Sequence, residues 1–128
     1  MMVSQFTPKI FLKLAKAKHL PSKSFSSVGI KDTSRGLLIP YKDINGNLTR
    51  PRLRLGLTSK DGFRWLNEGP IVPYGLWRLK NNYEYLIFCE GETDAITFWW
   101  HDIPALGFPG SSTSKLLQAN YLEGIKNI

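Results

Sequence analysis

The sequence has 128 residues, enough for one ordinary domain and too few for two of full size. It is 42% hydrophobic and 12% aromatic, which excludes a disordered tail, and its single cysteine, Cys89, excludes a disulfide framework or a zinc ribbon and favours a reduced, cytoplasmic setting. No apolar run resembles a secretion signal or a membrane span, and the net charge of +7 fits a polyanionic partner such as nucleic acid.

The first predicted element is a helix. Thr7-Pro8 has the form of an N-cap followed by a proline at the first helical position. The apolar residues that then recur on one helical face are Ile10, Phe11, Leu14 and Ala17. The pattern predicts that this helix ends near His19 and that the serine-rich residues 22–27 form a connector.

An antiparallel hairpin is predicted next. Residues 37–41 have strand character and lead to Asn45-Gly46, a hairpin signal because both residues tolerate positive φ. The return strand is predicted from about residue 48 to residue 57. Its side chains alternate between leucines on one face and arginines on the other: Leu53, Leu55 and Leu57 against Arg50, Arg52 and Arg54.

A further strand and an internal boundary follow the hairpin. Asp61-Gly62 predicts a turn before a strand at residues 63–66. Asn81-Asn82 is the best internal boundary, and it divides the chain into residues 1–82 and residues 83–128.

The sequence after this boundary has an α/β pattern. Residues 85–89 form a continuous apolar run, as expected of a strand that is buried on both faces, and Glu90-Gly91 ends it. A helix is predicted from Thr93 to His101, and a second short strand at residues 105–108. Three more elements are predicted in order: a turn at residues 109–112, a helix at 114–123 and the start of a third strand at 125–128.

The candidate chemistry lies between the first strand of this region and its helix. A carboxylate at the carboxyl end of a buried strand points into the crevice where open α/β sheets bind ligands, which makes Glu90 a candidate. Gly91 permits a sharp turn, and Asp94 lies one helical turn further on, where it could face the same crevice. Two carboxylates suit a hard cation such as Mg²⁺ or Mn²⁺. Acidic residues are also favoured in any first helical turn by the macrodipole, which is the alternative explanation of Asp94 and of Glu92.

Basic and aromatic residues of the hairpin are candidates for nucleic-acid contact. Arg52 and Arg54 share a strand face, and guanidinium groups donate paired hydrogen bonds to phosphate. Tyr41 and Trp65 are candidate stacking surfaces for unpaired bases. The alternatives are a solvated strand face for the arginines and core positions for the two aromatic residues.

The order of these segments resembles a known family. A hydrophobic strand, Glu-Gly-x-x-Asp-Ala, an apolar helix and a short strand ending in glycine, here residues 86–95 and 105–110, resemble the first half of a Toprim domain. Bacterial-type primases, topoisomerases and some nucleases share that fold. Four upstream segments resemble the basic subdomain that precedes Toprim in bacterial and phage primases: residues 36–46, 52–54, 63–67 and 73–77.

The resemblance implies a fold and a function. The implied fold is an α+β part in residues 1–82, a helix plus antiparallel strands, followed in residues 83–128 by an incomplete α/β Toprim domain with a Rossmann-like parallel βαβα order. The implied function is DNA primase activity, the synthesis of RNA primers by nucleotidyl transfer on single-stranded DNA during replication in a phage or plasmid. Nucleoside triphosphates would be substrates, Mg²⁺ or Mn²⁺ the cofactor, and a replicative helicase a candidate partner.

The resemblance also assigns residues. The glutamate of the motif, a general acid/base or metal-associated residue in the family, maps to Glu90, and the aspartate of the motif maps to Asp94. The basic subdomain guides template and nucleotides, which implies contacts by Arg52, Arg54, Arg64 and Asn67. The family completes its metal site with an Asp-x-Asp motif on the third strand, and this sequence contains none.

Three hypotheses therefore stay open. The first is a primase fragment, which is expected to be inactive alone and to synthesise primers only when it is extended by about 60 residues, a rough estimate from the size of an ordinary domain. A non-catalytic single-stranded DNA-binding remnant is the second reading, and a Toprim nuclease is the third.

Overall fold

A computed structural model describes residues 10–79, residues 83–109 and residue 121. Its helices and strands are, in chain order, α1 (Phe11–Ala17), α2 (Ser22–Ser26), β1 (Lys31–Thr33), β2 (Gly36–Ile39), β3 (Arg52–Arg54), β4 (Phe63–Trp65), β5 (Ile87–Glu90), α3 (Glu92–Trp100) and β6 (Ala105–Phe108). Single 3₁₀ turns lie at Ser59–Asp61 and Leu76–Arg78. None of the helices in the described residues has the length and apolar character that a membrane span requires.

The described chain falls into two compact units. One comprises the residues up to Pro40 together with Arg50–Glu68, and the other comprises Tyr41–Thr49 and the residues from Gly69 onward. The domain boundary expected after residue 82 stays a prediction.

The first unit contains a four-stranded antiparallel sheet in the order β1-β2-β3-β4. In β2, Leu37 lies opposite Arg54 and Ile39 lies opposite Arg52, so these four side chains share one face of the sheet. Leu37 and Ile39 are fully buried, which shows that the face carrying the arginines is covered. The predicted alternation is therefore present, but the arginines do not lie on a solvated face.

Helix α1 is capped from a distant strand. Its N-cap residue, Ile10, makes no side-chain cap hydrogen bond. Instead Oδ1 of Asp32 in β1 accepts hydrogen bonds from the backbone N–H groups of Ile10 and Phe11, at 3.3 Å and 3.1 Å. This contact supplies the acceptor that the first turn of a helix requires. The predicted capping residues at positions 7 and 8 lie outside the described residues.

The apolar face of α1 differs by one position from the prediction. Leu14 and Ala15 are buried, whereas Ala17, which was expected on that face, is exposed. The predicted end is close to the observed one: α1 ends at Ala17, and His19 has the left-handed φ of 56° that stops the helix.

The connector predicted at residues 22–27 is wrong, because Ser22–Ser26 form α2 and Ser27 is its C-cap. Pro21 takes the N-cap position with an extended backbone, and the hydroxyl of Ser24 donates to its carbonyl at 2.7 Å. Phe25 is fully buried and meets the ring of Phe11 edge-on, with centroids 5.5 Å apart. Serine is a weak helix former, so tertiary burial of one phenylalanine outweighs the composition of the segment.

The strands of the first unit are shorter and more numerous than predicted. The sequence pattern missed β1, which pairs with β2. The predicted return strand at residues 48–57 is regular only at β3, and Leu55 and Leu57 are exposed by 43% and 40%. They lie in the loop that leads to the turn at Gly62 (φ 90°), where Leu55 donates its N–H to the Gly62 carbonyl. The predicted strand at residues 63–66 is confirmed as β4.

The predicted turn at Asn45-Gly46 is confirmed, and it belongs to the second unit. Gly46 has φ 86°, and Oδ1 of Asp43 accepts hydrogen bonds from the N–H groups of Asn45 and Asn47 at 2.9 Å and 3.0 Å. The flanking residues pair only through one bridge, between Lys42 and Leu48.

The second unit is built on a parallel β5-α3-β6 arrangement, and the predictions of α3 and β6 are confirmed. Gly107 of β6 lies against the turn that precedes α3, since a Cβ at this position would be 2.4 Å from the Gly91 carbonyl oxygen. On its other side Gly107 exchanges two backbone hydrogen bonds with Tyr74, of 2.7 Å and 2.9 Å. The helix and strand predicted at residues 114–123 and 125–128 lie outside the described residues.

Strand β5 is not buried on both faces, contrary to the prediction. Cys89 is paired with Gly107, on the face that α3 covers through Ala95. Phe88 points to the opposite face, meets Phe108 edge-on and is 36% exposed. Within the described part of the chain, α3 covers one face of the two-stranded pair.

Aromatic rings form the core of the second unit. Tyr74 stacks on Trp99 and tilts against Tyr41, with ring centroids 5.2 Å and 4.9 Å apart. The Trp99 indole donates its N–H to the carbonyl of Ala105 at 2.9 Å. Gly75 (φ 107°) has no room for a side chain, because a Cβ there would be 2.5 Å from the Trp99 ring.

Candidate catalytic turn and arginine face

The turn between β5 and α3 presents Glu90. This residue is the last of β5 and its side chain is exposed. Gly91 follows with φ 78°, a conformation that glycine adopts without strain, and its N–H donates to the carbonyl of Phe108 at 2.8 Å. Glu90 is therefore held at the carboxyl ends of two parallel strands, the edge at which open α/β sheets bind ligands.

Asp94 is exposed in the first turn of α3 and lies beside Cys89. Burial, followed by the negative charge of Asp94, raises the pKa of the Cys89 thiol from 9.0 to about 12. Cys89 and Glu90 are successive strand residues, so their side chains leave β5 on opposite faces. Cys89 is consequently a neutral thiol on the helix side of the strand.

Glu90 and Asp94 offer two carboxylates at the same end of the structure. In residues 10–79 and 83–109, no three His, Cys, Asp or Glu side chains are grouped closely enough to hold a metal ion. Their oxygen donors are of the kind that Mg²⁺ accepts, but the described residues do not complete a set. Metal binding by Glu90 and Asp94 stays a prediction.

Glu92 is the acidic residue that the sequence explained only by the helix macrodipole. It is 2% exposed, and its carboxylate accepts a hydrogen bond from the hydroxyl of Tyr41. Burial raises the pKa of the neighbouring Tyr74 well above its usual value, the charge of Glu92 raises it further, and Arg78 lowers it. The Glu92 carboxyl group is thus buried, and the Tyr41 hydroxyl is a hydrogen-bond donor to it.

Tyr41 does not form the candidate stacking surface, because it is 1% exposed; the alternative, a core position, is confirmed. A sequence signal for this burial existed. Leu37, Ile39 and Tyr41 recur at every second position, and such alternation places a tyrosine with the apolar side chains.

The arginine face of the first unit is built from cross-strand pairs. Arg52 lies opposite Trp65, and Arg54 lies opposite Phe63. The guanidinium carbon of Arg52 is 3.9 Å from the centroid of the Phe63 ring and 5.3 Å from that of Trp65. These are cation–π distances, so the two aromatic rings fix the direction of the Arg52 guanidinium.

Arg54 donates hydrogen bonds to backbone groups of its own fold. It is 7% exposed, its Nε donates to the Gly56 carbonyl at 3.0 Å, and its Nη2 donates to the Leu57 carbonyl at 2.8 Å. Its guanidinium carbon is also 5.3 Å from the Phe63 ring centroid. These contacts hold the loop after β3, and nucleic-acid contact by Arg54 stays a prediction.

The remaining predicted contacts do not share this face. Arg64 lies opposite Leu53 and alternates with Phe63 and Trp65, so its exposed side chain belongs to the other face of the sheet. Asn67 is exposed in the loop after β4 with φ 58°. The four predicted nucleic-acid residues belong to the first unit, and Glu90 and Asp94 belong to the second.

A cavity of about 220 Å³ lies at the opposite end of the second unit. Its lining includes Arg78, Asp102 and Ala105, and Ala105 begins β6. This is the amino end of the parallel pair. The carboxyl end, with Glu90, remains the candidate site because ligands of open α/β sheets bind there.

Comparison with solved structures identifies the fold. The chain has a primase-like α+β fold, shown by its likeness to a solved primase domain. That solved structure is of bacteriophage T7 lagging-strand DNA polymerase interacting with primase domains of two gp4 subunits bound to an RNA/DNA hybrid and dTTP. The TM-score is 0.63 at 20% sequence identity, over 83% of this chain and 57% of that chain. No protein-family model and no curated protein matches the sequence.

The sequence identity and the coverage limit what this similarity shows about the chain. At 20% identity the shared property is the fold. The chain spans little more than half of the length of the neighbour, which is 57% covered.

Proposed function

We propose that this chain contributes to DNA primase activity, the nucleotidyl transfer that makes an RNA primer on single-stranded DNA during replication. The observation that carries the proposal is the exposed Glu90 at the carboxyl end of β5, followed by the left-handed Gly91, in a chain with a primase-like fold. Nucleoside triphosphates and the template strand are the proposed ligands. The Toprim assignment of residues 83–128 and a replicative helicase as partner belong to the same proposal.

Glu90 is proposed as a general base or metal-associated carboxylate that acts on the attacking 3′-hydroxyl group. Asp94 would share a cation with it. Mg²⁺ or Mn²⁺, when bound, would supply positive charge against the triphosphate. Because the sequence contains no Asp-x-Asp motif and the described residues contain no group of three metal-binding side chains, the 128-residue chain is expected to lack priming activity alone.

Arg52 is the arginine best suited to the template or the incoming nucleotide. Its guanidinium is oriented by Phe63 and Trp65, and Trp65 is itself half-buried, which leaves part of its ring for a base. Arg64 and Asn67, which are exposed, are proposed to contact the backbone of the nucleic acid.

The test is primer synthesis on single-stranded DNA with ribonucleoside triphosphates and Mg²⁺. We expect no product from the 128-residue chain alone and product from an extended protein, in which about 60 further residues carry the Asp-x-Asp strand of the family. In the extended protein Glu90→Gln should lower kcat by about 100-fold or more, the range of general acid–base catalysis. Glu84→Gln, at an exposed glutamate of the same unit, is the matched control. Primers made by the 128-residue chain, or wild-type activity of Glu90→Gln, would contradict the proposal.

A single-stranded DNA-binding module without catalysis is the second candidate. The absence of a three-residue metal cluster from the described ranges favours it. Such a module would bind DNA with a steep salt dependence and without Mg²⁺. Equal DNA affinity with and without Mg²⁺, together with no primers from the extended protein, would select this function. DNA cleavage by the extended protein would select a Toprim nuclease instead.

A further inference from the structure

A buried hydrogen bond links the Asn45-Gly46 hairpin to the candidate catalytic turn. Tyr41 begins that hairpin and is 1% exposed, and Glu92 begins α3 and is 2% exposed. The Tyr41 hydroxyl donates to Oε2 of Glu92 across 51 residues of sequence. A buried polar group is stable only when it is hydrogen-bonded, so this contact contributes more than an exposed hydrogen bond would.

Tyr41 also supports the Glu90-Gly91 turn from the side of β6. Tyr41 packs against the ring of Tyr74, and the backbone of Tyr74 exchanges two hydrogen bonds with Gly107. Gly107 in turn lies in close contact with the carbonyl of Gly91. Tyr41 is therefore linked to the Gly91 turn by two chains of contacts, one through Glu92 and one through Tyr74 and Gly107.

Glu92 follows Gly91 directly, and glycine gives that turn freedom which other residues would not. Glu90 is held by its pairing with Phe108 and by the hydrogen bond from Gly91 to the Phe108 carbonyl, so the freedom at Gly91 is that of the first turn of α3, which carries Asp94. The Tyr41–Glu92 hydrogen bond removes this freedom by fixing the residue on the helical side of Gly91. Preorganised carboxylates of this kind act at low entropic cost in the reaction.

We propose that Tyr41 is a positioning residue, which fixes the first turn of α3 through Glu92 and thereby holds Asp94 in place relative to Glu90. The effect of Tyr41 on catalysis rests on the proposed function. Its effect on the structure of the turn does not. Tyr41 touches neither substrate nor reacting atoms in this assignment. It acts only through the turn.

The structural consequence is tested on the 128-residue chain by amide hydrogen exchange. Tyr41→Phe removes one hydroxyl and keeps the ring. We expect the Gly91 amide, which is bonded to the Phe108 carbonyl, to exchange about tenfold faster or more, as expected when a buried hydrogen bond that holds the adjacent residue is lost. The Ile30 amide, bonded to Phe25 in the first unit, should exchange at an unchanged rate. Tyr85→Phe, at a tyrosine that is 43% exposed, is the matched control and should change neither rate.

The catalytic consequence is tested on the extended protein. Tyr41→Phe should lower kcat by about tenfold and leave KM for nucleoside triphosphate unchanged, because displacement of Asp94 from Glu90 affects the reaction and not the binding. Glu92→Gln keeps an oxygen that can accept the Tyr41 hydrogen bond, so its Gly91 exchange rate and kcat should lie between those of wild type and Tyr41→Phe. It also serves as the second variant if Tyr41→Phe does not fold.

The outcomes separate the two proposals. An unchanged Gly91 exchange rate in Tyr41→Phe overturns the positioning role, whatever the protein catalyses. Faster exchange with wild-type kcat shows that the turn is fixed by Tyr41 but that catalysis does not depend on it, which also overturns the role. If the wild-type extended protein makes no primers, the proposed function fails, and the exchange rate still decides whether Tyr41 fixes the turn.

Discussion

Arg54 allows a direct test of whether a buried arginine stabilises this fold or serves only to bind nucleic acid. The strand pattern makes it a candidate for phosphate contact, whereas the structure gives its guanidinium to the carbonyls of Gly56 and Leu57. If those contacts stabilise the first unit, Arg54→Ala should lower the free energy of unfolding. If Arg54 serves only nucleic acid, the substitution should leave stability unchanged.

The expected cost follows from the contacts. Two hydrogen bonds from a charged donor contribute about 1.5 kcal/mol each at the lower end of the usual range. The Phe63 ring, 5.3 Å from the guanidinium carbon, adds about 0.5 kcal/mol. The total is about 3.5 kcal/mol, a large share of the ~5–15 kcal/mol that stabilises a typical domain. Arg54→Lys keeps the charge but not the planar fork of donors, so it should lose about half as much.

The measurement is urea unfolding followed by far-ultraviolet circular dichroism. Arg54→Ala should lower the midpoint with an unchanged slope. Arg64→Ala is the control, because Arg64 is exposed on the opposite face of the neighbouring strand and should cost no more than about 0.5 kcal/mol. A midpoint for Arg54→Ala within error of wild type, or equal losses for both variants, would refute this account of the arginine face.

Two further predictions concern the second unit. Gly107→Ala should lower the free energy of unfolding by about 3 kcal/mol, because its Cβ would lie 2.4 Å from the Gly91 carbonyl oxygen, and an unchanged urea midpoint would contradict this. Cys89 should react with iodoacetamide at pH 8.5 far more slowly than a free thiol does, because its pKa is raised from 9.0 to about 12 and the thiolate is scarce. For the same reason its contribution to stability is fully present below pH 9 and is lost as the pH rises towards 12, since the unfolded chain releases the proton first. Rapid alkylation of the folded protein would show that this pKa is not raised.

The elements that the sequence predicted well are those whose signals are local. Asn45-Gly46 produces its turn because both residues accept the required backbone, and Asp43 adds two hydrogen bonds from within the turn. Helix α3 follows Glu90-Gly91 as expected, and β6 follows it after a short connection. Helix α2 was missed because its cause is tertiary: Phe25 is fully buried, and no local pattern reports that burial.

In the candidate site, too, the features with local sequence signals were predictable and the long-range contacts were not. The position of Glu90 at the end of β5 was readable from the apolar run that precedes it and from the glycine that follows. The contact between Tyr41 and Glu92 was not readable, because the two residues are 51 positions apart. A glutamate in the first turn of a helix has the same local pattern whether it faces water or a buried phenol.

Buried charges show why a sequence pattern cannot decide which face of a strand is covered. The period of two establishes that Arg52 and Arg54 share a face, but their charge fits nucleic-acid contact and a solvated face equally and does not indicate burial. Strand β3 is in fact buried on both sides at its centre, with Leu53 at 2% and Arg54 at 7% exposure. The acceptors for Arg54 lie two and three residues further along the chain, at Gly56 and Leu57, so the loop itself satisfies the charge. An arginine at the end of a short strand can therefore be buried at low free-energy cost when carbonyl groups of the following loop accept its hydrogen bonds. The guanidinium of such a residue is already hydrogen-bonded within the fold when no ligand is bound.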